Sequence, residues 1–583
     1  MTRRQGLNHV WADLIVEELI RCGIECFVLA PGFRSAPLAM AVVANSRARH
    51  VMHYDERGSA FFALGYGRAT GVPAAWITTS GTAVANGLPA VVEASTDGVP
   101  MLLLTADRPP ELRHCGANQA IDQVGIFGNY PRWAIDMPAP SASIDPAFVL
   151  TTVDQAAYRA RRAPGGPVHL NCMFREPLAT GDGDWAEYRS TLATWHSAES
   201  PYTTYSHADL GLSAEQTHTL SEALGAARRG LVVAGRLATA KEGHAVLRLA
   251  QRIGWPLLPD IASQLRLGNA PQDSQIVPLF DQLLGSDAFQ AEHSADVVLH
   301  VGGRCVSKRL SQFLAKNRPD QYIVVQAAPD RLDPNHQVTL NIEAGIEGFC
   351  DSISGATAAA QSSYFYSWKA AGRKVDRAVS AYFARTSRLT EPSIARTITQ
   401  NIPEGHALVL ASSLPIREAD QFGESGAGAP LVATNRGASG IDGTIAMAAG
   451  VAEGSQAPVT VVIGDLALLH DLNSLSLLRE RPVVVVVINN NGGGVFHFLP
   501  VAEPARYFEP CFGTPHGLTF QHAADMFGIA YCHPTSLQSF AEACLDAWTR
   551  PTATLIEVTT NRQDNYAVHQ ELLRVAAEAI GNP

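Results

Sequence analysis

The sequence lacks the features that mark membrane, nucleic-acid-binding, zinc and dinucleotide-binding proteins. Among its 583 residues no apolar run approaches the ~20 residues that span a bilayer. Acidic residues outnumber basic ones by 55 to 44, which gives a net charge of −11, whereas a face that binds nucleic acid must be basic. The nine cysteines form neither a CxxC pair nor a zinc-binding spacing, and no strand pattern leads into GxGxxG. These absences argue against all four classes, a nicotinamide dehydrogenase included.

The N-terminal segment also lacks the apolar core of a signal sequence. Arg3 and Arg4 are followed by WADLIVEELIRCGIE, whose acids Asp13, Glu17 and Glu18 predict an amphipathic helix instead. An odd number of cysteines spread over a long chain indicates buried free thiols in a reducing compartment. We therefore expect a cytoplasmic protein.

The composition is that of a large globular protein. With 46% hydrophobic and 17% charged residues, the chain can build sizeable cores. At ~150 residues per domain, its length predicts three or four domains. Polar or Ser/Ala-rich stretches at residues 197–212 and 352–363 are candidate domain borders.

Residues 459–494 predict a phosphate and metal site. A β-branched run at 459–463 ends in Gly464 and Asp465, and a second run at 483–488 ends in NNNGGG. Such runs are typical of strands buried in a parallel sheet, and leucines at roughly helical spacing lie between them. Ligands bind outside the carboxyl ends of parallel strands. Carboxylate, amide and carbonyl oxygens at that edge suit Mg²⁺ carrying a phosphate.

The same stretch resembles the GDG…NN diphosphate motif of thiamine diphosphate-dependent enzymes. Asn490 follows Asp465 by 25 positions, although Leu466 stands where the motif has its second glycine. A plain βαβ core with a polar loop is the alternative at this point.

Residues 1 to about 190 predict another α/β unit, in which Glu56 has two interpretations. Strand patterns at 26–30, 50–54, 74–78 and 101–105 all end in polar or glycine residues, and Glu56 lies in the string DERG after the second. It is either an acid that complements the dipole of the following helix or a buried carboxylate that hydrogen-bonds N1′ of an aminopyrimidine. A glutamate in one domain and a metal loop in another form the two-part layout of thiamine diphosphate-dependent enzymes.

Longer strings resemble one family of these enzymes, the 2-succinyl-5-enolpyruvyl-6-hydroxy-3-cyclohexene-1-carboxylate synthases (MenD). The matching strings lie between about residues 7 and 500, whereas 190–300 and 505–583 contribute little. They are APGFRSAP at 30–37, DERG at 55–58, TTSGTAVAN at 78–86, TADRPPE at 105–111, CGANQ at 115–119, GPVHLNCMFREP at 166–177, SLPIREAD at 413–420 and NRGASGIDG at 435–443, with the segments at 464 and 489.

The resemblance implies an α/β fold of three Rossmann-like domains with parallel sheets flanked by helices. These would be a pyrimidine-binding domain at 1–195, a central domain at 196–355 and a diphosphate-binding domain at 356–583. It implies a homodimer or homotetramer in which the pyrimidine domain of one subunit faces the diphosphate domain of another. The implied reaction is the thiamine diphosphate-dependent decarboxylation of 2-oxoglutarate and 1,4-addition of the succinyl unit to isochorismate, in menaquinone or phylloquinone biosynthesis.

The resemblance also implies roles for individual residues. Glu56 would activate the cofactor, and Asp465, Asn490 and the Gly492 carbonyl would hold Mg²⁺ or Mn²⁺ on its diphosphate. Other residues would contact the cofactor, with Ile441 either wedged between its two rings or part of the core. These are Ser80, Gly81, Thr82, Ile441, Val495 and Phe496.

Two dianionic substrates need cations, and arginine forks pair with carboxylates in a fixed orientation. Ser413 and Arg417 resemble the pair that holds the distal carboxylate of 2-oxoglutarate, and Arg436 could serve either substrate. The positions that resemble the isochorismate side are Arg34, Arg108, Gln119, Lys308 and Arg309.

Phe33 departs from the family, whose turn reads SPGSRS, and so leaves the acceptor site less secure. The alternatives are a thiamine-dependent 2-oxo-acid decarboxylase, an acetohydroxyacid-synthase-like carboligase, or an inactive homologue. The first two would share Glu56 and the metal loop without needing Arg417, Arg436 and the Lys308–Arg309 pair. We interpret Gly302-Gly303-Arg304, which follows another strand pattern, as a structural loop because it lacks the nucleotide fingerprint.

Overall fold

The computed structural model describes residues 6–181, 183–268, 274–353, 362–426, 428, 431–503 and 505–581. The strands of this part of the chain form three sheets. The first contains β1 (Cys26–Leu29), β2 (Arg49–Met52), β3 (Ala75–Thr78), β4 (Met101–Asp107), β5 (Trp133–Met137) and β6 (Pro167–Met173). The second contains β7 (Gly230–Ala234), β8 (Leu257–Pro259), β9 (Val297–Val301), β10 (Gln321–Gln326) and β11 (Leu340–Glu343). The third contains β12 (Ala407–Leu410), β13 (Leu431–Thr434), β14 (Val459–Gly464), β15 (Val483–Asn489), β16 (Ala530–Cys532) and β17 (Thr554–Thr559).

The helices alternate with these strands along the chain. They are α1 (Leu7–Arg21), α2 (Ala36–Ala44), α3 (Glu56–Thr70), α4 (Thr82–Ala85), α5 (Leu88–Asp97), α6 (Ala147–Arg161), α7 (Ala186–Ser190), α8 (Ala193–Ser197), α9 (Ala214–Ala226), α10 (Ala240–Ile253), α11 (Phe280–Leu283), α12 (Asp287–Glu292), α13 (Lys308–Lys316), α14 (Ile346–Ser352), α15 (Ser363–Ala384), α16 (Glu391–Asn401), α17 (Leu414–Phe422), α18 (Thr444–Ser455), α19 (Asp465–His470), α20 (Ala505–Phe508), α21 (Gln521–Phe527), α22 (Leu537–Ala547) and α23 (Arg562–Ala579).

The first and third sheets have the same strand order. They run β2-β1-β3-β4-β6-β5 and β13-β12-β14-β15-β17-β16, and the second sheet runs β8-β7-β9-β10-β11. All pairings between these strands are parallel. In each sheet the order reverses between the first and third strands, and ligands of such sheets bind at this switch point, beyond the carboxyl ends of the strands.

The chain divides into two compact units. The first comprises residues through His207 together with Asn435–Gln456 and His470–Arg481, and it contains the first sheet. The second comprises Ala208–Thr434, Ala457–Leu469 and Pro482–Pro583, and it contains the other two sheets.

Within the first unit, α3 packs on α18 through glycines. A Cβ on Gly65 would lie 2.2 Å from the carbonyl oxygen of Met447, and one on Gly450 would lie 2.1 Å from that of Phe62. Since neither position has room for a methyl group, the backbones of the two helices are in direct contact. This contact supports the helix that begins at Glu56.

The predicted α/β architecture with three parallel sheets is confirmed. β14 and β15 form where the β-branched runs predicted them and are neighbours, so Asp465 and the asparagine run follow adjacent strand ends. The leucines between them are not in an α-helix as predicted. The α-helix ends at His470, and Leu472–Leu477 forms a 3₁₀-helix. The predicted border at 352–363 falls largely outside the described residues.

Two further expectations from composition concern membrane-spanning segments and the state of the cysteines. No helix in the described ranges has the length and apolar character needed to cross a membrane. All nine cysteines are free thiols, as predicted. Their predicted burial is only partly correct, because Cys115 and Cys511 are exposed.

Candidate functional site

At the carboxyl edge of the first sheet, two arginines come together. Arg34 follows β1 and donates 3.0 Å to the Phe174 carbonyl and 3.3 Å to the exposed carboxylate of Glu176. Arg108 follows β4. Both guanidinium groups are buried, and burial together with the charge of Arg108 lowers the pKa of Arg34. Two buried like charges side by side make a strong site for an anion.

Arg108 is linked to two further predicted residues, Ser80 and Gln119. Its guanidinium donates to the hydroxyl of Ser80, which in turn donates 3.1 Å to the Gln119 carbonyl. The Gln119 amide donates 2.9 Å back to the Ser80 carbonyl. Gly81 is buried with a φ of +86°, while Thr82 is exposed at the start of α4. Residues from β3, β4 and the 115–119 string therefore form one hydrogen-bonded group.

Behind this group lies a buried polar network that the sequence analysis missed. Gln123 accepts 3.2 Å from the Gly81 amide and donates 2.8 Å to Asn171. Asn171 donates 2.9 Å to Asp107, which also pairs with Arg113 at 2.8 Å. Asn171 lies within the matched string 166–177, but only the fold shows that it faces β4. The network satisfies the polar groups that hold Arg108 in place.

Glu56 is the first residue of α3 and is half-buried. The N-cap is the preceding Asp55, whose carboxylate accepts from the amides of Arg57 at 3.0 Å and Gly58 at 3.3 Å. Because Asp55 caps the helix, Glu56 is not needed for that purpose. Among the described residues, none donates a hydrogen bond to the Glu56 carboxylate.

The loop that carries Arg436 and Ile441 belongs to the first unit. Glu93 of α5 accepts hydrogen bonds from the amides of Gly437 at 2.9 Å and Ala438 at 2.6 Å. Arg436 is half-buried, and the Ile441 side chain is 36% exposed. An isoleucine so exposed is not a core residue of the unit, which favours the contact interpretation over the core interpretation.

In the second unit, Ser413 and Arg417 share one helical turn. Ser413 is the N-cap of α17 and has a φ of +77°, which is uncommon for a residue other than glycine. The guanidinium of Arg417, on the next turn, donates to the Ser413 carbonyl. Such backbone strain is typical of functional positions.

Lys308 and Arg309 begin α13 but differ in their surroundings. Arg309 pairs with the buried carboxylate of Asp281, which also accepts 2.6 Å from Ser307, the N-cap of the helix. Lys308 is exposed. Asp281 therefore fixes the start of α13, and Lys308 is the member of the pair that faces solvent.

Asp465 and Gly492 meet at the carboxyl ends of β14 and β15. Asp465 is only 2% exposed, and its Oδ2 accepts 2.8 Å from the Gly492 amide and 3.1 Å from Nε2 of His516. His516 Nδ1 accepts from the Leu518 amide at 3.0 Å, so its proton is on Nε2 and points at Asp465. No sequence pattern indicated this contact of His516 with Asp465.

Asn490 follows β15 and is 8% exposed. Its Nδ2 donates 3.0 Å to Glu391, and among the described residues none donates to its buried Oδ1. Glu391 was also missed by the sequence analysis. Burial, and then the charge of Glu418, raise the pKa of Glu391 to about 8.

Two apolar residues follow the glycines of this loop. Val495 and Phe496 are half-buried in a 3₁₀-helix, Gly494–Phe498, and the Phe496 ring lies 5.5 Å from that of Phe512. They are therefore placed beside the Asp465 and Asn490 edge.

The residues at this edge fit a hard divalent cation. The Asp465 carboxylate, the unpartnered Asn490 Oδ1 and the Gly492 carbonyl all offer oxygen atoms to a cation, and the carbonyl keeps a second lone pair after accepting 3.0 Å from the Gly494 amide. A buried carboxylate beside orphaned acceptors is costly unless a cation compensates it. No cluster of three or more His, Cys, Asp or Glu in the described ranges could hold a metal, so such a cation depends on amide and carbonyl ligands.

Three regions of the chain match known protein families. Residues 10–126 match "Thiamine pyrophosphate enzyme, N-terminal TPP binding domain", and residues 422–558 match "Thiamine pyrophosphate enzyme, C-terminal TPP binding domain". Residues 186–410 match "Middle domain of thiamine pyrophosphate". The N-terminal match spans β1 to β4 of the first sheet, and the C-terminal match spans β13 to β16 and most of β17 of the third sheet.

Curated relatives match along almost the whole chain, and the following three are each named 2-succinyl-5-enolpyruvyl-6-hydroxy-3-cyclohexene-1-carboxylate synthase. The protein of Rubrobacter xylanophilus is 53% identical over 575 residues, 98% of each chain. That of Salinibacter ruber is 49% identical over 577 residues, 98% of this chain and 97% of the relative. That of Chlorobium phaeovibrioides is 41% identical over 97% of each chain. The chain therefore belongs to the 2-succinyl-5-enolpyruvyl-6-hydroxy-3-cyclohexene-1-carboxylate synthase (MenD) family of thiamine diphosphate-dependent enzymes.

Proposed function

We propose that this chain decarboxylates 2-oxoglutarate and adds the succinyl unit to isochorismate in menaquinone or phylloquinone biosynthesis, releasing CO₂. The observation that carries the proposal is the pair of buried arginines, Arg34 and Arg108, at one sheet edge. Their only ion-pair partner in the described part of the chain is the exposed Glu176. A 2-oxo-acid decarboxylase has no second dianionic substrate and would not need them.

Thiamine diphosphate would be held at two places, its diphosphate and its aminopyrimidine ring. Asp465, Asn490 and the Gly492 carbonyl would hold Mg²⁺ or Mn²⁺ on the diphosphate. When bound, the cofactor supplies a thiazolium that would accept the electron pair left behind when CO₂ departs. Glu56 would hold a proton against N1′ of the aminopyrimidine. Its carboxylate is half-buried and accepts no hydrogen bond from any described residue, so it is available for this role.

The substrate carboxylates would be held by cationic side chains. Ser413 and Arg417, joined on one turn, would bind the distal carboxylate of 2-oxoglutarate. Isochorismate would be held by Arg34, Arg108, Gln119, Lys308 and Arg309, with Arg436 available to either substrate. Arginine forks fix the orientation of a carboxylate as well as balancing its charge, so they set the face on which the new carbon–carbon bond forms.

Apolar residues would keep water from the reacting carbon. Ile441 would separate the two cofactor rings, and Val495 and Phe496 would line the pocket, with Ser80, Gly81 and Thr82 on the cofactor side. Water exclusion matters because protonation before the addition would release succinic semialdehyde instead of product.

We further propose a homodimer or homotetramer, with Glu56 of one subunit serving the metal loop of another. The corresponding domain borders are 1–195, 196–355 and 356–583. Size determination in solution tests the oligomer, and a monomer with full activity would refute it.

The test of the reaction follows isochorismate absorbance with the protein, thiamine diphosphate, Mg²⁺ and 2-oxoglutarate, each omitted in turn. Glu56→Gln should lower the rate by about 10²–10⁴-fold, the usual contribution of acid–base catalysis, because it cannot hold the N1′ proton. Glu25→Gln, at an exposed glutamate before β1, is the matched control and should keep full activity. Release of CO₂ while isochorismate persists would replace the synthase with a decarboxylase, and no turnover would indicate an inactive homologue.

A further inference from the structure

Glu391 lies behind the proposed metal loop, far from it in sequence. It opens α16, and its side chain is 1% exposed. One of its carboxylate oxygens, Oε1, accepts 3.0 Å from Asn490 Nδ2 and 3.0 Å from the Thr560 hydroxyl. Because both contacts are donors, Oε1 acts only as an acceptor.

The contact with Glu391 decides which end of the Asn490 amide faces the metal loop. An amide has a donor end and an acceptor end of almost the same shape. With Nδ2 held by Glu391, Oδ1 lies at the opposite end, where none of the described residues donates to it. A rotation of the amide by half a turn would instead present N–H groups, which cannot bind a cation.

We propose that Glu391 is a positioning residue that holds the Asn490 amide with its oxygen toward the divalent cation. The inference rests on the proposed function, since it needs Asn490 to be a metal ligand. Residues that orient ligands in this way often matter nearly as much as the ligands themselves.

Helix capping does not explain this side chain. An acid in the first turn of a helix is commonly placed there to interact with free backbone amides. In α16 the N-cap is Thr390, whose hydroxyl accepts from the Ser393 amide at 3.3 Å. Within the described part of the chain, no amide of α16 donates to Glu391.

The experiment measures Mn²⁺ binding to the full-length protein with saturating thiamine diphosphate, by the electron paramagnetic resonance signal of free Mn²⁺. Glu391→Met removes the acceptor at similar volume and should weaken Mn²⁺ binding about 10- to 100-fold. Glu391→Gln retains a carbonyl oxygen at Oε1 and should stay within about 3-fold of the wild type, because that oxygen still accepts from Asn490. Thr560→Val removes the other donor to Oε1 and should have an equally small effect.

A second background separates orientation from structural support. In Asn490→Asp the side chain ends in two equivalent oxygens, so no orientation has to be chosen. Adding Glu391→Met to Asn490→Asp should therefore cost no Mn²⁺ affinity. A role in stability alone would weaken binding equally in both backgrounds, and thermal unfolding of all variants reports whether each is folded.

Each outcome has one meaning. Equal Mn²⁺ binding by wild type and Glu391→Met would overturn the inference, as would equal losses in both backgrounds. A loss in Glu391→Gln as large as in Glu391→Met would also overturn it, since charge and not orientation would then matter. Absence of Mn²⁺ binding in the wild type would instead refute the proposed metal site itself.

Discussion

The first and third sheets have one strand order and opposite chemistry at their carboxyl edges. After its first and fourth strands the first sheet carries buried donors, Arg34 and Arg108. After its third and fourth strands the third sheet carries buried acceptors, Asp465 and Asn490. Topology therefore determines where a ligand binds, while a few residues at the strand ends determine the charge of that ligand.

The two edges also differ in how their polar groups are satisfied. The guanidinium groups of the first edge donate to protein acceptors, including Ser80 and the Phe174 carbonyl, although Nε of Arg34 has no acceptor among the described residues. At the third edge, Oδ1 of Asn490 and one oxygen each of Glu391 and Glu418 have no donor among the described residues. We infer that the first edge is organised before its ligand binds, whereas the third depends on a cation for its stability.

The largest effect is expected from a substitution at the carboxyl edge of the third sheet, which carries the buried acceptors. Gly492 has a φ of +128°, and a Cβ there would lie 1.8 Å from the Gly513 carbonyl oxygen. Gly492→Ala should therefore displace the loop and reduce Mn²⁺ affinity by at least about 100-fold, more than loss of an orienting residue. Gly348→Ala, in α14 of the same unit and outside the metal loop, is the matched control, because no atom lies within 4 Å of its Cβ position. Unchanged Mn²⁺ binding in Gly492→Ala would show that this carbonyl is not a ligand.

An intermediate effect is expected at the carboxyl edge of the first sheet, which carries the buried donors. Arg108→Met should raise the KM for isochorismate about 10- to 150-fold, corresponding to the about 1.5–3 kcal/mol of a hydrogen bond to a charged group. The KM for 2-oxoglutarate should change little, since we assign its carboxylate to Ser413 and Arg417. Steady-state kinetics with each substrate varied separately measures both values.

Arg175→Met controls for the loss of a positive charge from the same unit, because Arg175 pairs with Glu111 at the exposed surface. It should leave both KM values unchanged. If Arg108→Met raised both KM values equally, the division of substrates between the two edges would be wrong.

The smallest effect concerns a buried acid whose oxygens both have donors, in contrast to Glu391. Glu18 accepts from the Trp195 indole at 2.6 Å and from the Tyr202 amide. Burial, and then a hydrogen bond with Asp154, raise its pKa to about 8. The folded protein therefore holds a proton that the unfolded chain releases above its ordinary pKa of about 4.5. The free energy of unfolding should fall as the pH rises from about 4.5 to about 8.

Glu18→Gln should make thermal stability less dependent on pH between 5.5 and 8.5, because the amide remains neutral throughout this range. The neighbouring Glu17 is the control. Burial raises its pKa, but hydrogen bonds from Arg47 and Arg21 outweigh burial and lower it overall. The stability contributed by Glu17 is lost only as the pH falls through its lowered pKa, so Glu17→Gln should shift the Tm equally at both pH values. A wild-type Tm that rises between pH 5.5 and 8.5 would contradict the assignment for Glu18.

Local patterns predicted the strands and their ends, but not the residues that support the site. β15 consists of β-branched residues up to Asn489, so its pattern has one interpretation. Glu391 lies 99 positions from Asn490, and Asn171 lies 48 from Gln123, so no spacing could join them. The predicted α-helix at Leu472–Leu477 was wrong because the spacing of these leucines suits a 3₁₀-helix as well as an α-helix. Contacts between buried polar groups that are far apart in the chain depend on the fold, so they cannot be predicted from a single sequence.

The glycine contact between α3 and α18 limits how this chain can diverge. Because a Cβ on Gly65 or Gly450 would meet a backbone carbonyl, neither position can accept a methyl group unless α3 and α18 move apart. The strand-end loop at residues 30–37 has more room for substitution, since the Phe33 side chain is 66% exposed. A laboratory search for new acceptor substrates would gain most by diversifying that loop while leaving both helices as they are.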